Sequence, residues 1–125
     1  MPARVMLIEG DRPTADLIKL GLSRLNLDID HHLDGADVLA RLVQRRPALL
    51  LVDMLVPGLN TLELIGEMRR RGWLRQTQVV VISALGFKEV VQQAIQMGAV
   101  DFLVKPLSVD ALVEKTSRWL GLQVE

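Results

Sequence analysis

Apolar residues along this chain follow two rhythms. Residues 3–8 (ARVMLI), 48–52 (ALLLV), 78–83 (QVVVIS) and 101–104 (DFLV) are apolar almost without a break. Strands apolar on both faces belong inside a parallel sheet covered by helices on each side. A fifth run, LDIDHHL at 27–33, alternates instead, with Leu27, Ile29, His31 and Leu33 on one face. That period predicts a strand exposed on one side, at a sheet edge. Between the runs the spacing lengthens to that of helices. Ala15, Ile18, Leu22 and Leu25 mark one over 13–25, and Val38, Leu39, Leu42 and Val43 one over 35–46. Leu62, Ile65 and Met68 mark one over 61–71, and Val90, Val91, Ala94 and Ile95 one over 87–97. Ala111, Leu112, Thr116, Trp119 and Leu120 mark the last, over 109–120.

The punctuation supports this reading. Asp34, Asn60 and Ser108 are good N-cap types. Each follows a leucine (33, 59, 107) and precedes, by four residues, Val38, Leu64 or Leu112, the spacing of a hydrophobic staple. Pro13 suits a first helical turn, and Gly72, Gly98 and Gly121 stand where a left-handed stop is wanted. Five strand–helix units with no repeat or linker predict one domain over residues 1–125 with right-handed crossovers. The expected fold is α/β, a flavodoxin-like (βα)5 three-layer sandwich with a five-stranded parallel sheet in the order 2-1-3-4-5. That order puts the alternating second strand at an edge.

Composition narrows the function. The chain has 125 residues, half of them hydrophobic, enough for a sizeable core. Its formal net charge is zero, so the basic excess of a nucleic-acid binder is missing. The clusters QRRP (44–47) and RRRG (69–72) fall at helix C-termini, where cations complement the dipole without any phosphate partner. With no cysteine there is no disulfide, thiolate metal site or cysteine nucleophile. No apolar run approaches the ~20 residues of a membrane span, and MPARVMLIEGD is no signal peptide. The expectation is a soluble, cytoplasmic domain engaging neither membrane nor nucleic acid.

Open parallel sheets carry their sites beyond the carboxyl ends of the strands. The first strand delivers Glu9, Gly10 and Asp11 there, the third Asp53, the fourth Ser83 and Ala84, and the fifth Lys105 and Pro106. Taken singly, each is an ordinary cap or loop residue; four strand ends in register make a constellation. Acids on adjacent strands repel, and a hard cation such as Mg²⁺ relieves this. A carboxylate beside it can attack phosphorus, with the lysine and hydroxyl holding phosphoryl oxygens. EGDRP (9–13) has one glycine, so the G-x-G-x-x-G of a nucleotide-binding loop is missing.

LLLVDMLVPG (49–58), VVVISA (79–84) and GAVDFLVKPLS (98–108), in this order and spacing, resemble the receiver domain of two-component response regulators, and the similarity runs from Val5 to Leu120. The resemblance implies that Asp53 is phosphorylated from a histidine kinase, that Ser83 moves to bond the phosphoryl group, and that Ala84 leaves room for it. It implies that Lys105 pairs with the acyl phosphate, that Pro106 follows a cis bond, and that Phe102 is the aromatic switch coupled to Ser83. It assigns Mg²⁺ to Glu9, Asp11, Asp53 and the backbone carbonyl of Leu55. Such a domain is no enzyme in the ordinary sense, although it assists its own phosphorylation and dephosphorylation.

One departure stands out. The family places two consecutive acids after the first strand, the second usually the direct Mg²⁺ ligand. Here Glu9 matches the first and Gly10 occupies the second. Either Asp11 swings in, or the metal site is weakened. In the first case the chain is a phosphorelay receiver that switches its helix 4–strand 5–helix 5 face. In the second it is a pseudo-receiver, a phosphorylation-independent protein-binding module. Asn60-Thr61 also replaces the common Asp-Gly. Leu55 and Leu85, two residues after Asp53 and Ser83, offer no group to orient a water, which predicts a long-lived phosphoryl group. The implied partners are a sensor histidine kinase or phosphotransfer protein and a downstream effector. The switched face lacks the dense charge of receivers that dimerise through it, which leaves a homodimer of another kind open. His31 and His32, neighbours on a strand, point to opposite faces and cannot chelate together. Trp73 is expected in a loop over the third helix, and Trp119 in the core.

Overall fold

The computed structural model describes residues 2–122. Its main sheet is parallel and holds β1 (Ala3–Ile8), β2 (Leu27–His32), β3 (Leu49–Asp53), β4 (Gln78–Ser83) and β5 (Asp101–Val104) in the order β2-β1-β3-β4-β5. The alternating strand lies at an edge, as its pattern predicts. The helices are α1 (Arg12–Leu22), α2 (Val38–Arg45), α3 (Thr61–Arg70), α4 (Lys88–Met97) and α5 (Val109–Leu120). Among the described residues no helix is long and apolar enough to cross a membrane.

The sheet divides the interior in two, because successive strand residues point to opposite faces. Met6, Ile8, Leu50, Val52, Val79 and Val81 pack with Leu42 of α2, Leu64, Ile65 and Met68 of α3 and Ala94 of α4. Val5, Leu7, Leu49, Leu51, Val80 and Ile82 pack on the other face with Ala15, Ile18 and Leu22 of α1 and Leu112 and Val113 of α5. Each large side chain so buried contributes about 1.5–3 kcal/mol. This explains the unbroken apolar runs of β1, β3 and β4.

Two of the three expected caps form. Asn60 accepts from the Glu63 N–H (3.1 Å) and Ser108 from the Ala111 N–H (3.2 Å). Asp34 does not cap α2. Its Oδ1 accepts from the nearer Ala36 N–H (2.9 Å) and faces Arg41, and the Gly35 N–H reaches across to the Pro57 carbonyl (3.0 Å). With the chain held in that turn, α2 starts three residues later than the periodicity suggests, after Asp37 in a left-handed conformation (φ 52°). α1 ends at Leu22, before Leu25, which is buried all the same. Gly72, Gly98 and Gly121 do take positive φ at helix ends.

Two small elements are additional. Leu55–Val56 pairs antiparallel with Leu59–Asn60, turning at Pro57-Gly58. Trp73 belongs to a 3-10 turn (Trp73–Arg75), packs against the α3 side of the core and carries the Arg71 guanidinium 5.1 Å from its ring centre. Trp119 packs against the α1/α5 side.

Candidate functional site

The carboxyl ends of β1, β3, β4 and β5 converge on a cleft of about 370 Å³ lined by Glu9, Gly10, Asp11, Asp53, Leu55, Pro57, Ala84 and Lys105. Backbone pairing brings them there. The Glu9 N–H donates to the His32 carbonyl (3.0 Å), carrying the β1–β2 ladder one residue further. The Met54 N–H donates to the Ile82 carbonyl, and the Lys105 N–H to the Ser83 carbonyl, each at 2.8 Å. The Lys105–Pro106 peptide bond is cis.

At the centre one ammonium bridges two buried carboxylates. Glu9 and Asp53 are 1% and 4% exposed. Lys105 Nζ lies 2.8 Å from Glu9 Oε1 and 2.5 Å from Asp53 Oδ2. The remaining oxygens are engaged as well: Glu9 Oε2 accepts from the Asp11 N–H (3.1 Å) and Asp53 Oδ1 from the Leu55 N–H (2.8 Å). Burial raises the Glu9 carboxyl above its ordinary value; Lys105 opposes this and the Asp53 charge adds to it. Burial also disfavours the charged Lys105, but its bonds to Asp53 and Glu9 outweigh that, and its pKa is raised.

Asp11 lies at the rim. Its Oδ2 accepts from the Thr14 N–H (3.1 Å) and from the Thr14 hydroxyl, making it the N-cap of α1. These bonds lower the pKa of a carboxyl that stays exposed. Ser83 is fully buried, and its Oγ accepts from the Leu85 N–H (3.0 Å) rather than touching Asp53. Phe102 points into the α3/α4 side of the core, 8% exposed. Leu55 lines the cleft as an exposed apolar group, and Leu85, next to Ala84 in sequence, is exposed as well.

Thr61 is a residue that sequence reasoning missed. Its buried hydroxyl donates to the Asp53 carbonyl (2.9 Å) and ties the start of α3 to the end of β3. A hydroxyl just inside an N-cap was the available signal. His31 Nε2 lies 2.9 Å from the Glu9 carbonyl oxygen, whereas His32 Nε2 faces Asp30 (2.8 Å), so the two rings serve separate contacts.

The donor set fits a divalent cation poorly. Mg²⁺ is often held by one or two carboxylates with waters, but Glu9 Oε2 and Asp53 Oδ1 already accept backbone N–H bonds. The Lys105 ammonium sits against Asp53 Oδ2 and against Glu9 Oε1, a buried oxygen with no hydrogen bond beyond that ion contact. Among the described residues, no three His, Cys, Asp or Glu side chains come together as metal ligands. Asp11 is held in its cap, and Gly10 has no side chain to offer.

A family model of the response regulator receiver domain matches residues 5–117. The chain is 31% identical over 121 residues to the transcriptional regulatory protein CrdR of Helicobacter pylori, covering 97% of this chain and 56% of that protein. It is 26% identical over 120 residues to the phosphate regulon transcriptional regulatory protein PhoB of Rhizobium meliloti, covering 96% and 53%. The chain thus spans about half the length of the curated relatives it matches. Among solved structures, the signal receiver domain of a proposed LuxO repressor protein from Vibrio parahaemolyticus matches with a TM-score of 0.89 at 26% identity, covering 97% of this chain and 92% of that one. A response regulator from Thermotoga maritima matches with a TM-score of 0.84 at 25% identity, covering 97% and 99%.

Proposed function

Because the chain belongs to the response regulator receiver domain family, we propose that Asp53 accepts a phosphoryl group from the phosphohistidine of a sensor kinase or phosphotransfer protein. Receiver domains are signalling domains rather than ordinary enzymes and generally bind Mg²⁺. The observation that carries the reading is Lys105 Nζ set 2.5 Å from Asp53 at the floor of an open cleft. An Asp53 oxygen attacks phosphorus, the P–N bond breaks, and its electron pair stays with the imidazole ring. Lys105 offsets the charge of the incoming phosphoryl oxygens. Ala84 beside the cleft leaves them space, and the Ser83 hydroxyl, now accepting from the Leu85 N–H, turns to donate to a phosphoryl oxygen. A bond made only in the phosphorylated state shifts the population toward that state.

The readout in this proposal is repacking of Phe102 and of the α4–β5–α5 face, where Phe87, Ile95 and Val104 are exposed, toward a downstream effector. A cytoplasmic location and a single receiver domain over residues 1–125 go with it. The second reading, a phosphorylation-independent binding module, is favoured by Gly10. Intact-mass measurement after incubation with phosphoramidate in Mg²⁺-containing buffer separates the two. One added phosphoryl group, lost in Asp53→Asn, supports the phosphoacceptor. No addition to a folded chain, beside a reactive receiver control, overturns it in favour of the binding module.

A further inference from the structure

Glu9, Asp53 and Lys105 form a group in which the ammonium occupies the position between the carboxylates. Two carboxylates and one ammonium leave one net negative charge. A divalent ion added there would leave the group net positive and would have to push the Lys105 ammonium from between the two carboxylates. A further acid is what such an ion needs, and the chain has two places for one. Asp11 is committed to capping α1 through the Thr14 N–H and hydroxyl, and it does not join Glu9 and Asp53 in a ligand group. Position 10 lines the cleft itself. A Cβ built on Gly10 would lie 3.5 Å from Pro57 Cδ and 3.2 Å from the Leu33 carbonyl oxygen, which would have to give by a few tenths of an ångström. The Gly10 φ is not among the positive ones, so a side chain there meets no backbone strain.

We propose that Lys105 is the resident counter-ion of the Glu9–Asp53 pair in this chain, and that the side chain missing at position 10 keeps its divalent-metal affinity low. The inference concerns the site as folded and stands whether or not Asp53 becomes phosphorylated. Asp11 serves α1, and its exposed carboxylate is no substitute ligand.

The test is titration of the whole chain with Mn²⁺ alone, with no phosphodonor, reading the electron paramagnetic resonance signal of the free ion. Gly10→Asp is expected to bind Mn²⁺ at least about tenfold more tightly than the wild type. Gly10→Asn, equal in shape without the charge, is expected to match the wild type, and so is Asp11→Asn. Wild-type affinity equal to that of Gly10→Asp, or a clear loss in Asp11→Asn, overturns the proposal. If Gly10→Asp fails to fold, Asp53→Asn decides: a wild-type affinity that this change abolishes overturns the proposal, and one that it leaves unaltered supports it. Since no phosphoryl transfer is read, a negative phosphorylation result leaves this test intact.

Discussion

Lys105→Met keeps most of the aliphatic stem and removes the charge that bridges Glu9 and Asp53. Taking one partner from a buried ion pair costs about 3–5 kcal/mol when the charge left behind has no relief. Here relief exists, because one carboxylate can take up a proton and hydrogen-bond to the other. At pH 7 that escape lies about 2.5 pH units above the ordinary Glu value of 4.5. At about 1.4 kcal/mol per unit it sets a ceiling of about 3.5 kcal/mol. The Lys105 side chain is 20% exposed, so water recovers part of the loss, and about 2–3 kcal/mol is expected at pH 7. At pH 5 the ceiling falls to about 0.7 kcal/mol. The sign follows from Glu9: burial already raises its carboxyl, and losing Lys105 raises it further. A carboxyl raised in the folded state stabilises that state most at low pH, and the benefit is lost as pH rises through the folded value. Urea unfolding of both proteins, followed by circular dichroism at pH 5 and pH 7, reads this directly. The midpoint should drop by roughly 2 M at pH 7 and only slightly at pH 5. An equal loss at both pH values, or a larger one at pH 5, would refute the reasoning.

Other positions give independent tests. Gly98→Ala, with φ 126° and a Cβ that would fall 2.5 Å from Leu74 Cδ1, should cost about 2 kcal/mol or more in urea unfolding; a cost near zero would contradict the geometry. Ser108→Ala removes the α5 cap and should cost about 1 kcal/mol, with Ser108→Asp retaining most of it. Thr61→Val leaves the Asp53 carbonyl without its donor and should cost about 1–2 kcal/mol, which Thr61→Ser should largely restore. Once formed, the phosphoryl group on Asp53 should decay slowly because Leu55 and Leu85 cannot orient a water. Decay within seconds, followed by intact mass, would count against that.

The fold was legible because its signals are redundant. Strand runs, helical spacing, caps at Asn60 and Ser108, and glycine stops all point to the same alternation, and tertiary packing agrees with each. Asp34 misled because an Asx turn to Ala36 competes for the same carboxylate, and only the contact between Gly35 and Pro57, from distant segments, decides between them. The two-residue ribbon around Pro57-Gly58 is too short for periodicity to register. The constellation at the strand ends could be read from position alone, since topology brings strand ends together. Its internal wiring could not. That Lys105 reaches both Glu9 and Asp53, and that Asp11 turns to Thr14, depends on side-chain geometry the pattern does not encode. Thr61 went unseen for the same reason.

The sheet also acts as a partition. Phe102 stands on the same side of it as α3 and α4, while α1 and α5 pack against the reverse side around other residues. Any movement of Phe102 is felt first by the neighbours it touches, and the layer of strands between the two compartments resists passing it on. The α1 surface therefore has the full sheet between itself and that ring, whereas α5, tied to β5 through Lys115 and Asp101, borders the proposed output face. Residues on α1 can be exchanged to suit a different docking partner while Phe102 and its surroundings stay as they are, so one chain can have whom it meets and how it responds revised separately.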